Sequence, residues 1–291
     1  MYDSSLCYNE CFDDVKPEDK TNVSNINVPK IIMQSWKTKT VPLHWMESPQ
    51  SIQTYMSEWK YILMDDKDNR EMVKKHFPDF FPYYERYPYD IQRADTARYC
   101  FLYLYGGVYM DLDYVVQKNL STLFLSNNDE SQTTDQSNNE SENNESENLQ
   151  DTVYLVPSGN VGTYFTNSFM ASTPKNKFWL EVLEECKKPR HWLHISRHLE
   201  IMGVSGPAML SRVANSTKIK IITIQSNLIM PCSVCNLSCD CSNSYLKQLE
   251  GSSWIGFDSQ IYLFFLCNWK LFILFSLIFI FLIFLIFITY K

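Results

Sequence analysis

The 291-residue chain has no basic stripe, and a net charge of −7 with an isoelectric point near 5.3 argues against a nucleic-acid partner. Any phosphate-bearing ligand must then be held by local Lys, Arg or metal rather than by a global positive field. Residues 1–27 contain no apolar run, so neither a signal peptide nor an N-terminal anchor is expected there. Residues 126–150, SNNDESQTTDQSNNESENNESENLQ, lack almost every apolar type. Such a tract cannot bury enough surface to offset ordering entropy, and it is expected to be a disordered surface-loop insertion. Histidine is scarce, with five residues in all. His191, His194 and His198 are spaced for one helical face, but no carboxylate or cysteine pattern accompanies them, which favours a solvated face over a metal site.

Aromatic residues are plentiful, with 18 Tyr and 18 Phe making up most of a 15% share, enough for a sizeable core. The length suits one large α/β domain plus extras. Strand-like runs at 30–34, 60–64, 108–116, 153–156, 163–170 and 219–224 alternate with helical patterns near 47–57, 68–76, 90–105, 176–188 and 206–214. This alternation predicts an α/β sandwich with a largely parallel sheet.

The stretch from Asp90 to Val116, DIQRADTARYCFLYLYGGVYMDLDYVV, carries the most chemistry. Asp95 and Arg98 stand three apart, so they share a helical face, where an exposed pair would be a plain structural ion pair. Ala94, Ala97, Phe101 and Leu104 form a neighbouring apolar stripe, and Gly106-Gly107 supplies positive φ past the helix end. Val108, Tyr109 and Met110 then read as a buried strand. Asp111 and Asp113 are two apart, so on a continued strand both carboxylates face one way and Leu112 the other. Paired carboxylates repel unless a cation or a shared proton relieves them. At the carboxyl end of a strand in an open α/β sheet, where ligands collect, Mg²⁺ or Mn²⁺ with its preference for oxygen is the expected cation.

This segment resembles the DXD glycosyltransferases of the fungal initiating α-mannosyltransferase and inositol-phosphoceramide mannosyltransferase type, an arrangement shared by the large clostridial glucosylating toxins. The matching residues are Asp95-xx-Arg98-Tyr99 and Tyr105-Gly106-Gly107-Val108-Tyr109-Met110-Asp111-Leu112-Asp113. Val28 to Trp36 resembles the family's first strand and nucleotide-binding loop, and Trp59 to Asp66 its second strand. Asn167 to Ser172 resembles the strand after the DXD, Ser205-Gly206-Pro207 a later acceptor-side loop, and Gly251 to Trp254 the closing Ser-Trp segment. The likeness covers roughly residues 28–258.

The resemblance implies a GT-A-like nucleotide-sugar-binding fold, with residues 28–260 as catalytic domain. It implies transfer of a hexose, mannose favoured, from GDP-mannose or a UDP-hexose to a hydroxyl of a glycan, glycoprotein or sphingolipid, with retention of anomeric configuration. Asp113, with Asp111, is expected to hold Mn²⁺ or Mg²⁺. Asp111 is also expected to touch ribose or sugar, Asp95 the sugar and Arg98 the diphosphate. Trp36 is expected to pack near the nucleotide, and Ser253 and Trp254 to close over the diphosphate. Two positions depart from the pattern: Met33 and Gln248 stand where the family usually has His, and the second position is commonly near the metal. These departures make a catalytically degenerate sugar-binding or scaffold protein the alternative. A remoter one is a haloacid-dehalogenase-like phosphatase, because Val108 to Val115 also fits a hydrophobic strand followed by DxDxV. That family needs a later paired-acid motif, which Asp151, Asp240 and Asp258 do not supply.

Leu271 to Thr289 contains no charged residue, and its 19 residues at about 1.5 Å each match the roughly 30 Å hydrocarbon core. A C-terminal transmembrane helix is expected within 261–291, with Tyr262 to Trp269 at the interface. Placed at the tail with no N-terminal signal, it predicts a Golgi- or ER-type membrane protein with its catalytic domain on the cytosolic face, whereas the resemblance pulls toward the lumen. Nine cysteines include a cluster at Cys232, Cys235, Cys239 and Cys241, open to a zinc knuckle, to disulfides or to no bond at all. Six sequons occur, at Asn22, Asn119, Asn139, Asn144, Asn215 and Asn236.

Overall fold

Side-chain alternation along neighbouring strands builds a sheet with two apolar faces. In the computed structural model, β1 (Ile31–Ser35) sends Met33 to one face and Ile32 to the other. β3 (Gly107–Met110) does the same with Tyr109 against Val108 and Met110, and β6 (Phe165–Ser172) with Met170 against Phe169 and Ala171. Burial on both faces is what a near-continuous apolar run such as β3 requires. The structure describes residues 28–125, 152–158, 164–188, 195–232, 235, 239–251 and 253–289. The expectations for residues 1–27, for the 126–150 tract and for His191 and His194 lie outside these.

With β2 (Lys60–Met64), β5 (Val153–Pro157) and β7 (Ile221–Thr223), the six-stranded sheet has the order β2-β1-β3-β6-β5-β7. β6 pairs antiparallel with both β3 and β5, while the other pairings are parallel, so five of the six strands run one way. The expected α/β class with a mostly parallel sheet is what the chain adopts. A second, two-stranded sheet joins β4 (Tyr114–Val116) to β8 (Leu246–Gln248), antiparallel, with Tyr114 opposite Gln248.

One expectation is corrected here. The predicted strand over 108–116 is two strands in two sheets, and the Asp111-Leu112-Asp113 segment is the turn between them. Ladder pairing persists through the Asp111 N–H, which donates to the Ser168 carbonyl at 2.8 Å, and then the chain turns as Tyr114 N–H reaches back to the Asp111 carbonyl. The chain must leave the large sheet here to pair with β8, and Asp tolerates such turns. Consequently Leu112 does not oppose the carboxylates; it packs with Val41, Trp45 and Leu63 and borders the same cavity.

The helix α4 (Asp90–Tyr105) has the bounds the sequence indicates. It is buried on nearly all sides, which is why polar Gln92, Asp95, Thr96 and Arg98 are enclosed along with Ala97, Phe101 and Leu104. Gly106 and Gly107 take φ of 63° and 82°. A Cβ at Gly106 would lie 2.6 Å from the Pro174 nitrogen, and one at Gly107 2.6 Å from the Ile31 carbonyl oxygen, so both conformation and space demand glycine. This tight exit drops the chain from α4 directly into β3.

The remaining helices surround this frame: α1 (Glu47–Tyr55), α2 (Asp66–His76), α3 (Phe81–Arg86), α5 (Lys177–Cys186), α6 (Arg197–Val204), α7 (Pro207–Ser216) and α8 (Ser226–Ile229). The last helix, α9 (Phe257–Thr289), has a break at Asn268 and an exposed apolar surface. Phe257 to Phe281 is long and apolar enough to cross a membrane, with mean hydropathy 2.2 and none of that window buried against the domain. Of the three histidines, His198 lies within α6, whose N-cap residue is Ser196.

Candidate active site

The carboxyl ends of β1 and β3, the amino-terminal half of α4 and the start of α6 enclose a cavity of about 450 Å³. That size suits a small-molecule ligand. All seven side chains singled out from the sequence line it: Trp36, Asp95, Arg98, Asp111, Asp113, Ser253 and Trp254.

Asp95 and Arg98, one turn apart on α4, form an ion pair of 3.2 Å with both side chains 5% exposed. Arg98 Nη1 also donates to Asp111 Oδ1 at 3.1 Å and to the Asn167 carbonyl at 2.9 Å. Its guanidinium lies 4.3 Å from the Tyr109 ring centre. Ser205 Oγ donates to Asp95 Oδ2 at 2.8 Å and Asn167 Nδ2 to Asp95 Oδ1 at 3.0 Å, so both carboxylate oxygens are held. Burial pushes the Asp95 carboxyl up to about 6, although Arg98 and the two hydrogen bonds oppose it. For Arg98, burial favours neutrality but Tyr109, Asp111 and Asp95 outweigh it, and the guanidinium stays charged.

Asp111 Oδ1 accepts from Tyr109 Oη at 2.6 Å as well as from Arg98. Its backbone is fixed by Gln34, whose Nε2 donates to the Asp111 carbonyl at 3.1 Å and to Ser48 Oγ at 2.8 Å, while its Oε1 accepts from Tyr61 Oη. Asp113 is different. Its Oδ2 accepts from Gln248 Nε2 at a long 3.4 Å, and among the described residues its buried Oδ1 has no hydrogen-bond partner. Burial and the neighbouring Asp111 charge push the Asp113 carboxyl up to about 7. Burial likewise raises Asp111 above the usual carboxylate range.

These residues fit a divalent cation. Asp113 offers an unclaimed buried oxygen, Asp111 stands beside it, and an all-oxygen donor set is what Mg²⁺ or Mn²⁺ accepts. Gly251 leaves the space: a Cβ there would fall 2.1 Å from Asp113 Oδ2. Gln248 therefore stands beside the carboxylate, as its place in the closing region suggests. Met33, the other departure, is fully buried in the core layer and does not border the cavity.

Trp36 packs edge-on against Trp45 at 4.8 Å, and the Trp45 indole N–H donates to the Glu250 carbonyl. Trp254 stacks on His198 at 5.6 Å. Sequence reasoning missed the supports: Gln34, Tyr109, Gly251 and Ser205's role at Asp95. Asn167 and Ser205 lie in segments that resemble the family, but only the folded chain brings them to the carboxylate. It also missed the cavity's other cations, Lys37 and Arg197.

The cysteine cluster resolves into two disulfides, Cys232–Cys239 and Cys235–Cys267. The second leaves the cluster and ties its loop to α9, a pairing that local spacing does not reveal. Among the described residues Cys241 is free, as are the buried Cys100 and Cys186.

Comparison with known proteins agrees with this geometry. Residues 42–138 match the family described as glycosyltransferase sugar-binding region containing DXD motif. The mannosyl phosphorylinositol ceramide synthase SUR1 of Saccharomyces cerevisiae is 32% identical over 185 residues, covering 63% of this chain and 41% of the relative. Inositol phosphoceramide mannosyltransferases 3 and 2 of Schizosaccharomyces pombe are 27% and 30% identical, covering 89% and 81% of this chain and 65% and 61% of theirs. The chain thus spans less than two thirds of the length of each of these three relatives. The solved PaToxG glycosyltransferase superposes with a TM-score of 0.42 at 16% identity, over 64% of this chain and 68% of that one; the fold reading rests on the strand order instead. The match of residues 42–138 to the DXD-containing sugar-binding region, together with these relatives, bears out the resemblance to the inositol-phosphoceramide mannosyltransferase type.

Proposed function

We propose that the chain is a metal-dependent hexosyltransferase that moves a sugar, mannose favoured, from a nucleoside diphosphate sugar to an acceptor hydroxyl. The single observation that carries this reading is the buried Asp113 Oδ1, unpartnered among the described residues, beside Asp111 in an open cavity. On this reading residues 28–260 act as the catalytic unit. Asp113 and Asp111 would hold Mn²⁺ or Mg²⁺. When bound, the ion supplies Lewis-acid stabilisation of the charge that develops on a departing diphosphate.

The chain's own residues do the rest. Asp95, fixed through both oxygens, accepts hydrogen bonds from the donor sugar and sets its orientation. Arg98 holds Asp95 and Asp111 in place and offsets their charge, so it acts on the donor chiefly through them. Asp111's outer oxygen reaches the ribose or sugar. Trp36 packs against the nucleotide, and Ser253 with Trp254 covers the diphosphate and excludes water. With retention of configuration, the departing phosphate oxygen takes the acceptor hydroxyl's proton.

The relatives' names support a phosphoinositol-ceramide lipid as acceptor, and α9 supports membrane attachment. The two disulfides support the lumenal face of a Golgi- or ER-type membrane rather than the cytosolic face expected from the tail position, since cytosolic thiols stay reduced. Protease treatment of sealed microsomes tests the side: a protected domain with glycans on the exposed sequons Asn119 and Asn215 is expected, and digestion of an unglycosylated domain would restore the cytosolic assignment.

The activity is tested by incubating the purified full chain with GDP-mannose and UDP-hexoses, with and without Mn²⁺. Metal-dependent release of a nucleoside diphosphate from one donor is expected. Binding of donor without any turnover, in the presence of inositol phosphoceramide, would turn the reading to a sugar-binding scaffold.

A further inference from the structure

The Arg98 guanidinium is already shared among Asp95, Asp111 and the Asn167 carbonyl, so little of its charge is left for an incoming phosphate. Lys37 and Arg197 line the same cavity. Among the described residues neither has a carboxylate within 4.0 Å. Each rests on an aromatic face: Lys37 Nζ lies 5.6 Å from the Trp36 ring centre, and the Arg197 guanidinium 5.2 Å from that of Tyr89. A guanidinium lying on a ring keeps its N–H edge free for two phosphate oxygens.

The two cations belong to different elements. Lys37 follows β1 next to Trp36. Arg197 opens α6, and α6 is locked to the first turn of α9. Asp258 Oδ2 accepts from the His198 backbone N–H at 2.6 Å and from Ser196 Oγ at 2.7 Å, and the His198 ring stacks on Tyr262 at 4.6 Å. Asp258 thus occupies the α6 amide end, leaving the Arg197 side chain as the available anion ligand.

That junction lies near the bilayer surface if α9 spans the membrane. α9 has 33 residues, about 50 Å of helix against a hydrocarbon core of roughly 30 Å. The break at Asn268 lets the part before it depart from the direction of the span. After its polar first turn that part is apolar from Ile261 to Cys267, and Phe257 at its start is 78% exposed, with Ile195 beside α6 82% exposed. Arg197, two residues after Ile195 at the start of α6, belongs to this junction.

From this placement we infer that Arg197 binds the phosphate of an anionic lipid headgroup and so presents that lipid's hydroxyl to the donor. The inference rests on the transferase reading above. Lys37, beside Trp36 after β1, is left for the donor diphosphate.

Two measurements on the full chain in phosphatidylcholine vesicles test it. The first is transfer to inositol phosphoceramide, compared with transfer to a neutral glycosylceramide. Arg197→Gln is expected to raise the KM for the anionic lipid about tenfold or more, the loss of one charge-assisted contact, with a smaller effect on the neutral one. Arg197→Lys should recover part of the loss, and Lys37→Gln should raise the donor KM more than the acceptor KM. Equal effects of Arg197→Gln on both acceptors, or none, would overturn the inference.

The second is calorimetric binding of water-soluble inositol 1-phosphate and of inorganic phosphate to the donor-free protein. Arg197-dependent binding of inositol phosphate, tighter than that of inorganic phosphate, identifies a headgroup. Equal binding of both overturns the headgroup assignment in favour of a simple phosphate site. If Arg197-dependent headgroup binding survives in a protein that transfers nothing, the transferase reading fails and the inference stands.

Discussion

Arg98 joins Asp95 on α4 to Asp111 in the turn after β3, with contacts of 3.2 and 3.1 Å from a single guanidinium. Two carboxylates, Asp95 buried and Asp111 partly exposed, therefore depend on one cation. Replacing Arg98 by Met keeps much of the volume and removes the charge. The expected cost is about 3–5 kcal/mol, the usual penalty for stranding a buried ion. Denaturant unfolding of the detergent-solubilised chain measures it, and a loss under about 1 kcal/mol would show that the carboxylates find other relief.

Asp113→Asn should act in the opposite direction. Asp113 is crowded by burial and by Asp111, which outweigh a long hydrogen bond from Gln248 and help from its own backbone N–H. Removing its charge relieves the metal-free protein while abolishing metal-dependent turnover. Thermal melts with and without Mn²⁺ check both halves: an unchanged or higher Tm without metal, and loss of the Mn²⁺-induced rise. A variant that keeps that rise and turns over normally sinks the metal assignment.

Gly251→Ala tests the clearance over the carboxylate. The new Cβ would sit 2.1 Å from Asp113 Oδ2, so the carboxylate must swing away. The side chain can move, so the fold should survive. Metal affinity, read from the Mn²⁺ concentration giving half-maximal turnover, should weaken by about tenfold or more, as loss of a well-placed charged contact implies. Unaltered metal dependence would place the ion elsewhere.

His198 makes the α6–α9 junction sensitive to acid. Burial lowers its pKa below the ordinary 6.5, against a smaller opposing effect of Asp258. A base with a depressed folded pKa contributes stability above its unfolded pKa and loses it as pH falls through the folded one. The junction should therefore hold above about pH 6.5 and loosen below it. Hydrogen exchange in α6 should accelerate on going from pH 7.5 to 5, after correction for the intrinsic rate, and His198→Phe should flatten that response. A response that persists in the variant would assign it to another group.

Much of this arrangement was legible because the punctuation is local. The Gly106-Gly107 pair ends α4 where it does, and apolar runs mark β1, β2 and β5 within a residue or so. The apolar character of Val108 to Val116 concealed the turn at Asp111–Asp113. Nothing in that run shows that β3 and β4 belong to different sheets, since β4's partner, β8, lies more than a hundred residues on. α3 was hidden for another reason: it is six residues long, rich in aromatics, and opens with Pro82 near its start, too short to display a helical period. Asp95 and Arg98 could be paired by spacing, but their common dependence on Asn167 and Ser205 is a long-range fact that no spacing encodes.

The Cys235–Cys267 bond encloses Gly251, Ser253 and Trp254 within a covalent ring whose far end sits just before the break in α9. The backbone between the domain and its apolar tail is therefore doubled. A protease that severs the chain once between Cys235 and Cys267 does not free the domain, because the sulfur bridge still tethers it. Release needs a cut and a reductant together, or a cut beyond Cys267. A chain clipped inside the ring would keep its apolar helix yet lose the continuity of the segment over its cavity, so retention of the helix and integrity of the cavity are separable properties of this chain.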